Sequence, residues 1–216
     1  MARLKLGVLI SGRGSNLQAL IDACAAPGFP ASVALVLSNR ADAAGLERAG
    51  AAGIATAVVS HRDHAGKQAF EEAMSAALEA AGVELVCLAG FMRLLSPWFV
   101  ERWRDRLINI HPSLLPAFPG LDTHARALEA GVRFHGCTVH LVRQDMDAGP
   151  ILVQAAVPVR PDDTEESLAD RVLEQEHRCY PLAVRLLAEG RARVVGERVL
   201  LDADMTVPEP LLNPVP

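Results

Sequence analysis

Aromatic residues are scarce in this chain. Phe, Tyr and Trp make up 4% of its 216 residues while half of it is hydrophobic, so the core must rest on Ala, Val, Leu and Ile. An excess of basic charge is also missing. A net charge of −5 and a pI near 5.8 argue against nucleic acid as the main partner, which favours a basic surface. A local basic pocket for a small anion remains compatible with that balance. Cys24, Cys87, Cys137 and Cys179 stand far apart, with no CxxC pair and no signal peptide ahead of them. They read as reduced, mostly buried thiols, neither disulfides nor metal ligands. No apolar run approaches the ~20 residues of a membrane span. These absences predict a soluble, cytoplasmic protein that touches neither nucleic acid nor membrane and has length enough for a sizeable core.

What is present is an alternation of strands and helices. Apolar runs at 4–10, 32–37, 56–59, 84–89 and 107–110 are separated by helical patterns ending near 26 and spanning about 42–52 and 66–81. Near-continuous Val/Ile/Leu strands between amphipathic helices predict an α/β fold, a Rossmann-like, mostly parallel twisted sheet with helices on both faces. Further on, 137–142 alternates as a half-buried strand, and 151–159 is another, interrupted by Pro158. A long helix over about 165–189 has Asp163 or Thr164 as its cap, and Pro181 kinks it or starts a second segment. Residues 193–201 suit a small strand pair and 207–216 a loosely held Pro-rich tail. The absence of repeats and linkers predicts one domain over 1–201, followed by the tail at 202–216.

Asn109-Ile110-His111-Pro112 carries the strongest chemical signal. In an extended segment Asn109 and His111 project to one face, and Pro112 ends the strand. An amide donor beside a group that titrates near neutrality suits proton movement while charge builds on a carbonyl oxygen, as in acyl transfer. Asp147, before a Gly-Pro turn, is either a carboxylate folded back beside His111 or a solvated loop acid. The first turn, Gly12-Arg13-Gly14-Ser15-Asn16, sits where an open α/β sheet places an anion. Leu17 replaces the third glycine of a dinucleotide fingerprint, and Ser38-Asn39-Arg40 lacks its acidic residue, so a phosphate monoester fits better than a nicotinamide cofactor. The plainer alternative is a tight turn capped by Ser15 or Asn16. Gly90-Phe91-Met92-Arg93-Leu94-Leu95 follows the fourth strand and suits a flat, partly apolar ligand with polar edges, or simply packs on the next helix. The seven histidines show no ligand spacing: His61 and His64 lie in a polar loop, and His135 and His140 face opposite sides of a strand. Asp122-Thr123-His124 reads as a helix start capped by Asp122, and no metal site is expected.

Five blocks in order resemble the folate-dependent phosphoribosylglycinamide formyltransferases: Ser11 to Leu17, Leu88 to Ser96, Asn109 to Pro116, His135 to His140, and Asp147 to Ile151. The resemblance extends to about Leu201 and implies the formyltransferase fold. It implies that Asn109, His111 and Asp147 are catalytic. It implies that Gly14, Ser15, Asn16 and Glu176 hold phosphoribosylglycinamide, and that Met92, Arg93, Leu94, Leu95 and Asn109 line the 10-formyltetrahydrofolate pocket. Lys67 falls where relatives often carry an arginine facing the folate tail, keeping the charge without the planar fork. The partners implied are these two small molecules, with the chain a monomer or a homodimer. Rival readings within the superfamily are 10-formyltetrahydrofolate hydrolase, usually with an added regulatory domain, and methionyl-tRNA formyltransferase, with an added tRNA-binding domain. The acidic chain of 216 residues speaks against tRNA. Outside it stand a non-catalytic binding module and a nicotinamide-dependent oxidoreductase.

Overall fold

The computed structural model describes residues 2–202, 204 and 211–213. Its elements run β1 (Leu4–Ile10), α1 (Ser15–Ala25), β2 (Ala31–Ser38), α2 (Gly45–Ala51), β3 (Thr56–Val58), α3 (Lys67–Ala80), β4 (Leu85–Leu88), α4 (Pro97–Arg102) and β5 (Leu107–His111). There follow α5 (Thr123–Glu129), β6 (Phe134–Leu141), β7 (Ile151–Pro158), α6 (Glu165–Ala188) and the hairpin β8 (Ala192–Val195) and β9 (Arg198–Leu201). Seven strands form one sheet in the order β3-β2-β1-β4-β5-β6-β7. The first five are parallel, β6 runs antiparallel to β5, and β7 runs antiparallel to β6 and so in the direction of the first five. The mostly parallel sheet expected from the apolar runs is therefore present.

Strand periodicity divides the core into two layers. Leu6, Val8 and Ile10 of β1 face a layer built with Leu17, Leu20 and Ile21 of α1 and Leu168, Val172 and Val184 of α6. Leu9 points the other way, to Phe70, Met74 and Leu78 of α3, Phe99 of α4 and Trp103 just after it. With few large rings available, two of them anchor the layers. Trp103 is 1% exposed and donates its indole N–H to Ser75 Oγ, while buried Tyr180 donates to the Leu88 carbonyl oxygen where β4 ends. Among the described residues no helix is long and apolar enough to cross a membrane.

The structure corrects several local expectations. Strand β6 is buried over 135–141, not half-buried, because β5 and β7 flank it, α6 covers one face, and the 142–150 loop folds over the other. Pro158 ends β7 and does not interrupt it. Thr164 caps α6, in a capping box with Ser167, while Asp163 pairs with Arg171 at 2.7 Å. Helix α6 continues through Pro181 as one element; Tyr180, Ala183 and Val184 are buried around it, and that packing outweighs one lost backbone bond. Asp122 precedes α5, but with φ 54° its side chain does not cap. A cap needs extended backbone to aim its oxygen at the first N–H groups. Most of the expected tail lies outside the described residues; within it, Asn213 donates to the carbonyl oxygens of Arg133 and Val159.

Candidate active site

Strands β1, β4 and β5 are parallel neighbours, so the segments leaving their carboxyl ends meet on one edge of the sheet. The strand order reverses between β1 and β4, the crevice where open α/β sheets take ligands. Ser11 joins its two sides: its N–H donates to the Gly90 carbonyl oxygen at 3.1 Å, and its Oγ accepts from Met92 N–H at 2.9 Å.

On the β1 side, Gly14 begins α1 with φ 73°, a conformation that favours glycine. A Cβ there would stand 2.8 Å from the Cα of Gly45, so the close approach is to α2 as well as to any ligand. Neither Ser15 nor Asn16 caps the helix, so no side chain occupies its first N–H groups. Ser15 and Asn16 form the first turn. Asn16 donates through Nδ2 to Glu176 Oε2 at 2.7 Å, bringing together two residues far apart in sequence. Burial pushes the Glu176 carboxyl up to about 6, against the opposing effect of the Asn16 bond.

On the β4 side, Met92 and Leu94 are 70% and 71% exposed around half-buried Arg93, and Leu95 is half-buried behind them. The Arg93 guanidinium lies 5.5 Å from the centroid of Phe70. Lys67 opens α3 one turn before that ring and is exposed. The loop is fastened at its far end by Glu71, 1% exposed, which accepts from the Ser96 backbone N–H at 2.8 Å and from its hydroxyl.

The end of β5 carries the titratable cluster. The strand stops at His111, directly before Pro112. Asp147 arrives from the 142–150 loop, which turns back over β6. Gly149 permits this, since a Cβ there would stand 1.7 Å from the Leu141 carbonyl oxygen. Asp147 itself has φ 55°, which acidic residues tolerate better than most. Its Oδ2 lies 3.5 Å from His111 Nδ1 and accepts from Gly120 N–H at 2.8 Å. His111 Nε2 is 3.0 Å from the Phe118 carbonyl oxygen, so both ring nitrogens face oxygen acceptors. Asn109 is half-buried and therefore reachable from the crevice.

Sequence reasoning assigned no part in this cluster to three of its members. His140 stands opposite Asn109 across the β5–β6 ladder, with Nε2 3.3 Å from Asn109 Nδ2 and 3.8 Å from Asp147 Oδ1. Its signals were placement on a strand, which does not name the neighbouring strand, and membership of a matching block, which gave it no role. Phe118 and Gly120 contribute backbone groups, which leave no residue-type signal at all. His135, by contrast, packs against the rings of Phe118 and His124, away from Asn109.

A formyl transferase family model matches residues 4–184. The chain is 45% identical over 206 residues to the phosphoribosylglycinamide formyltransferase of Escherichia coli (strain K12), covering 95% of this chain and 97% of that protein. It is 52% identical over 197 residues to the trifunctional purine biosynthetic protein adenosine-3 of Drosophila melanogaster, covering 90% of this chain but only 15% of that relative's length. The crystal structure of glycinamide ribonucleotide transformylase 1 from Symbiobacterium toebii superimposes with a TM-score of 0.89 at 51% identity, over 92% of this chain and 94% of that one. With the family model spanning most of the chain and the relatives matching it nearly end to end, this chain belongs to the formyl transferase family.

Proposed function

We propose that the protein transfers the formyl group of 10-formyltetrahydrofolate to the primary amine of phosphoribosylglycinamide. The observation that carries this reading is the meeting of Asn109, His111 and Asp147 at the end of β5, beside a glycine turn and helix start suited to a phosphate. Gly14, Ser15 and Asn16 bind the phosphate through the free N–H groups of α1, where the helix dipole favours an anion. Glu176 accepts from sugar hydroxyls while Asn16 orients it. The folate lies across Met92, Leu94 and Leu95. Exposed apolar side chains around a cation suit a flat ring system with a charged tail, and Arg93 and Lys67 meet that tail.

The amine attacks as the free base. A bond forms between its nitrogen and the formyl carbon, and the bond from that carbon to the folate nitrogen breaks as the tetrahedral intermediate collapses. One proton leaves the amine and one arrives on the folate nitrogen, so the exchange balances without water or an oxidant. Asn109 donates to the developing oxyanion, an effect worth roughly 3–4 kcal/mol in comparable sites. His111, held between Asp147 and the Phe118 carbonyl oxygen, carries the proton. The test is a steady-state assay that follows deformylated folate. Release that depends on phosphoribosylglycinamide supports the transferase. Release without it replaces the reading with a hydrolase, and folate binding without release replaces it with a binding module.

A further inference from the structure

His140 has no task in the chemistry above, yet it is 2% exposed and touches two of the three residues assigned to that chemistry. Its Nδ1 lies 3.0 Å from the carbonyl oxygen of Leu141. A carbonyl oxygen only accepts, so Nδ1 carries a hydrogen. Burial is the largest influence on the ring and pushes its pKa below the ordinary histidine value. His111 acts in the same direction, while the Leu141 carbonyl and Asp147 oppose it. The ring is therefore uncharged near neutral pH, and Nε2 holds a lone pair. Asn109 Nδ2, at 3.3 Å, supplies the matching donor. Asp147 Oδ1, at 3.8 Å, is itself an acceptor and makes no hydrogen bond to that nitrogen.

A carboxamide can sit in either of two orientations, half a turn apart, that exchange its oxygen and nitrogen. The lone pair on Nε2 selects the orientation with Nδ2 toward β6. One hydrogen of that NH2 group goes to His140, and the second stays available to a reacting carbonyl. The opposite orientation sets Oδ1 against the lone pair and carries both hydrogens away from this edge. We infer that His140 is a positioning residue for formyl transfer, acting through its acceptor nitrogen to hold the Asn109 amide as the oxyanion donor. The inference rests on the formyl-transfer reading and on the part given there to Asn109.

A double-mutant cycle tests it. His140→Leu keeps much of the bulk and removes the acceptor, whereas His140→Gln offers an amide oxygen in its place. His140→Leu lowers kcat about 10- to 100-fold while both KM values stay within about threefold, the pattern of a misplaced donor. His140→Gln returns kcat to within about fivefold of the parent enzyme, because an acceptor is again present. In an Asn109→Ala background, His140→Leu lowers kcat by no more than about twofold, since the group it positions is already gone. Should His140→Leu melt below the assay temperature, His140→Ala, which also lacks an acceptor, takes its place under the same criteria. Losses that multiply in the double variant overturn the inference and leave the role of Asn109 standing, as does a His140→Leu enzyme with parental kcat. An Asn109→Ala enzyme with parental kcat instead brings down the Asn109 assignment, and the inference with it.

Discussion

Asp147→Asn separates the charge of this carboxylate from its work as a scaffold. The carboxylate faces His111 Nδ1 at 3.5 Å and also accepts from Gly120 N–H at 2.8 Å. An asparagine keeps one oxygen for Gly120 and tolerates the φ of 55° found there, so folding stability should move by under about 1 kcal/mol. In the proposed mechanism the loss falls on the transition state, where His111 carries a proton. Two unit charges 3.5 Å apart interact by about 5 kcal/mol at an effective dielectric near 20, and an amide dipole recovers part of that. The net loss of about 3–5 kcal/mol corresponds to a fall in kcat of about 10²- to 10⁴-fold. Asp147→Ala loses the Gly120 bond too and places alanine in left-handed backbone, costing a further ~1–2 kcal/mol of stability. The assay is initial-rate formyl transfer with both KM values determined, alongside thermal melts of both variants. An Asp147→Asn enzyme that melts normally and turns over within threefold of the parent would refute the electrostatic role of this residue.

Three further outcomes follow from the geometry. Gly14→Ala puts a methyl 2.8 Å from the Gly45 Cα at φ 73°, so stability falls by about 1–3 kcal/mol and KM for the nucleotide rises, both read from one kinetic and one melting series. Glu176 has a folded pKa of about 6 against an ordinary 4.5, so the folded state binds the proton more tightly than the unfolded one. Its contribution is most favourable below about pH 4.5 and declines by about 2 kcal/mol as pH rises through 6. Glu176→Gln should therefore be the more stable protein at pH 7.5 in urea titrations and lose that advantage near pH 4.5; an advantage independent of pH would rule out this cause. Thr164→Ala removes the capping box at the start of α6 and should cost about 1 kcal/mol of stability, leaving kcat unchanged.

The parallel half of the fold was legible because buried parallel strands are apolar throughout, as in Val8-Leu9-Ile10 and Val86-Cys87-Leu88. The same rule misread β6. Its Thr138 and His140 are polar, and the alternation looked like solvent exposure. These side chains are in fact buried against other polar groups: Thr138 donates to the Ser113 carbonyl oxygen at 2.6 Å, and His140 meets Asn109. A polar residue satisfied across a sheet has the sequence pattern of one satisfied by water. Asn109 and His111 could be read together because strand periodicity is local, whereas Asp147 could only be guessed, since its position depends on a loop folding back over β6. The pairing of Asn16 with Glu176 joins the first helix to the last and carried no signal beyond family resemblance.

The change of strand direction at β6 is what makes the site possible. A purely parallel sheet would bring residues together only at strand ends, one short segment from each. Here β6 returns antiparallel along β5, so Asn109 meets His140 and His111 meets Thr138 side by side along the ladder. The loop after β6 then folds back and adds a carboxylate to the same face. The anion-suited turn remains at β1, two strand spacings from β5 with β4 between them. At ~4.8 Å per spacing that separation is about 10 Å, a distance spanned by a phosphorylated sugar carrying a short amide arm. Under the proposed function, sheet geometry would set the length of the acceptor. On that reading, a substrate held by its phosphate at β1 would present its far end to Asn109 and His111, and the formyl donor would enter at the β4 loop between them.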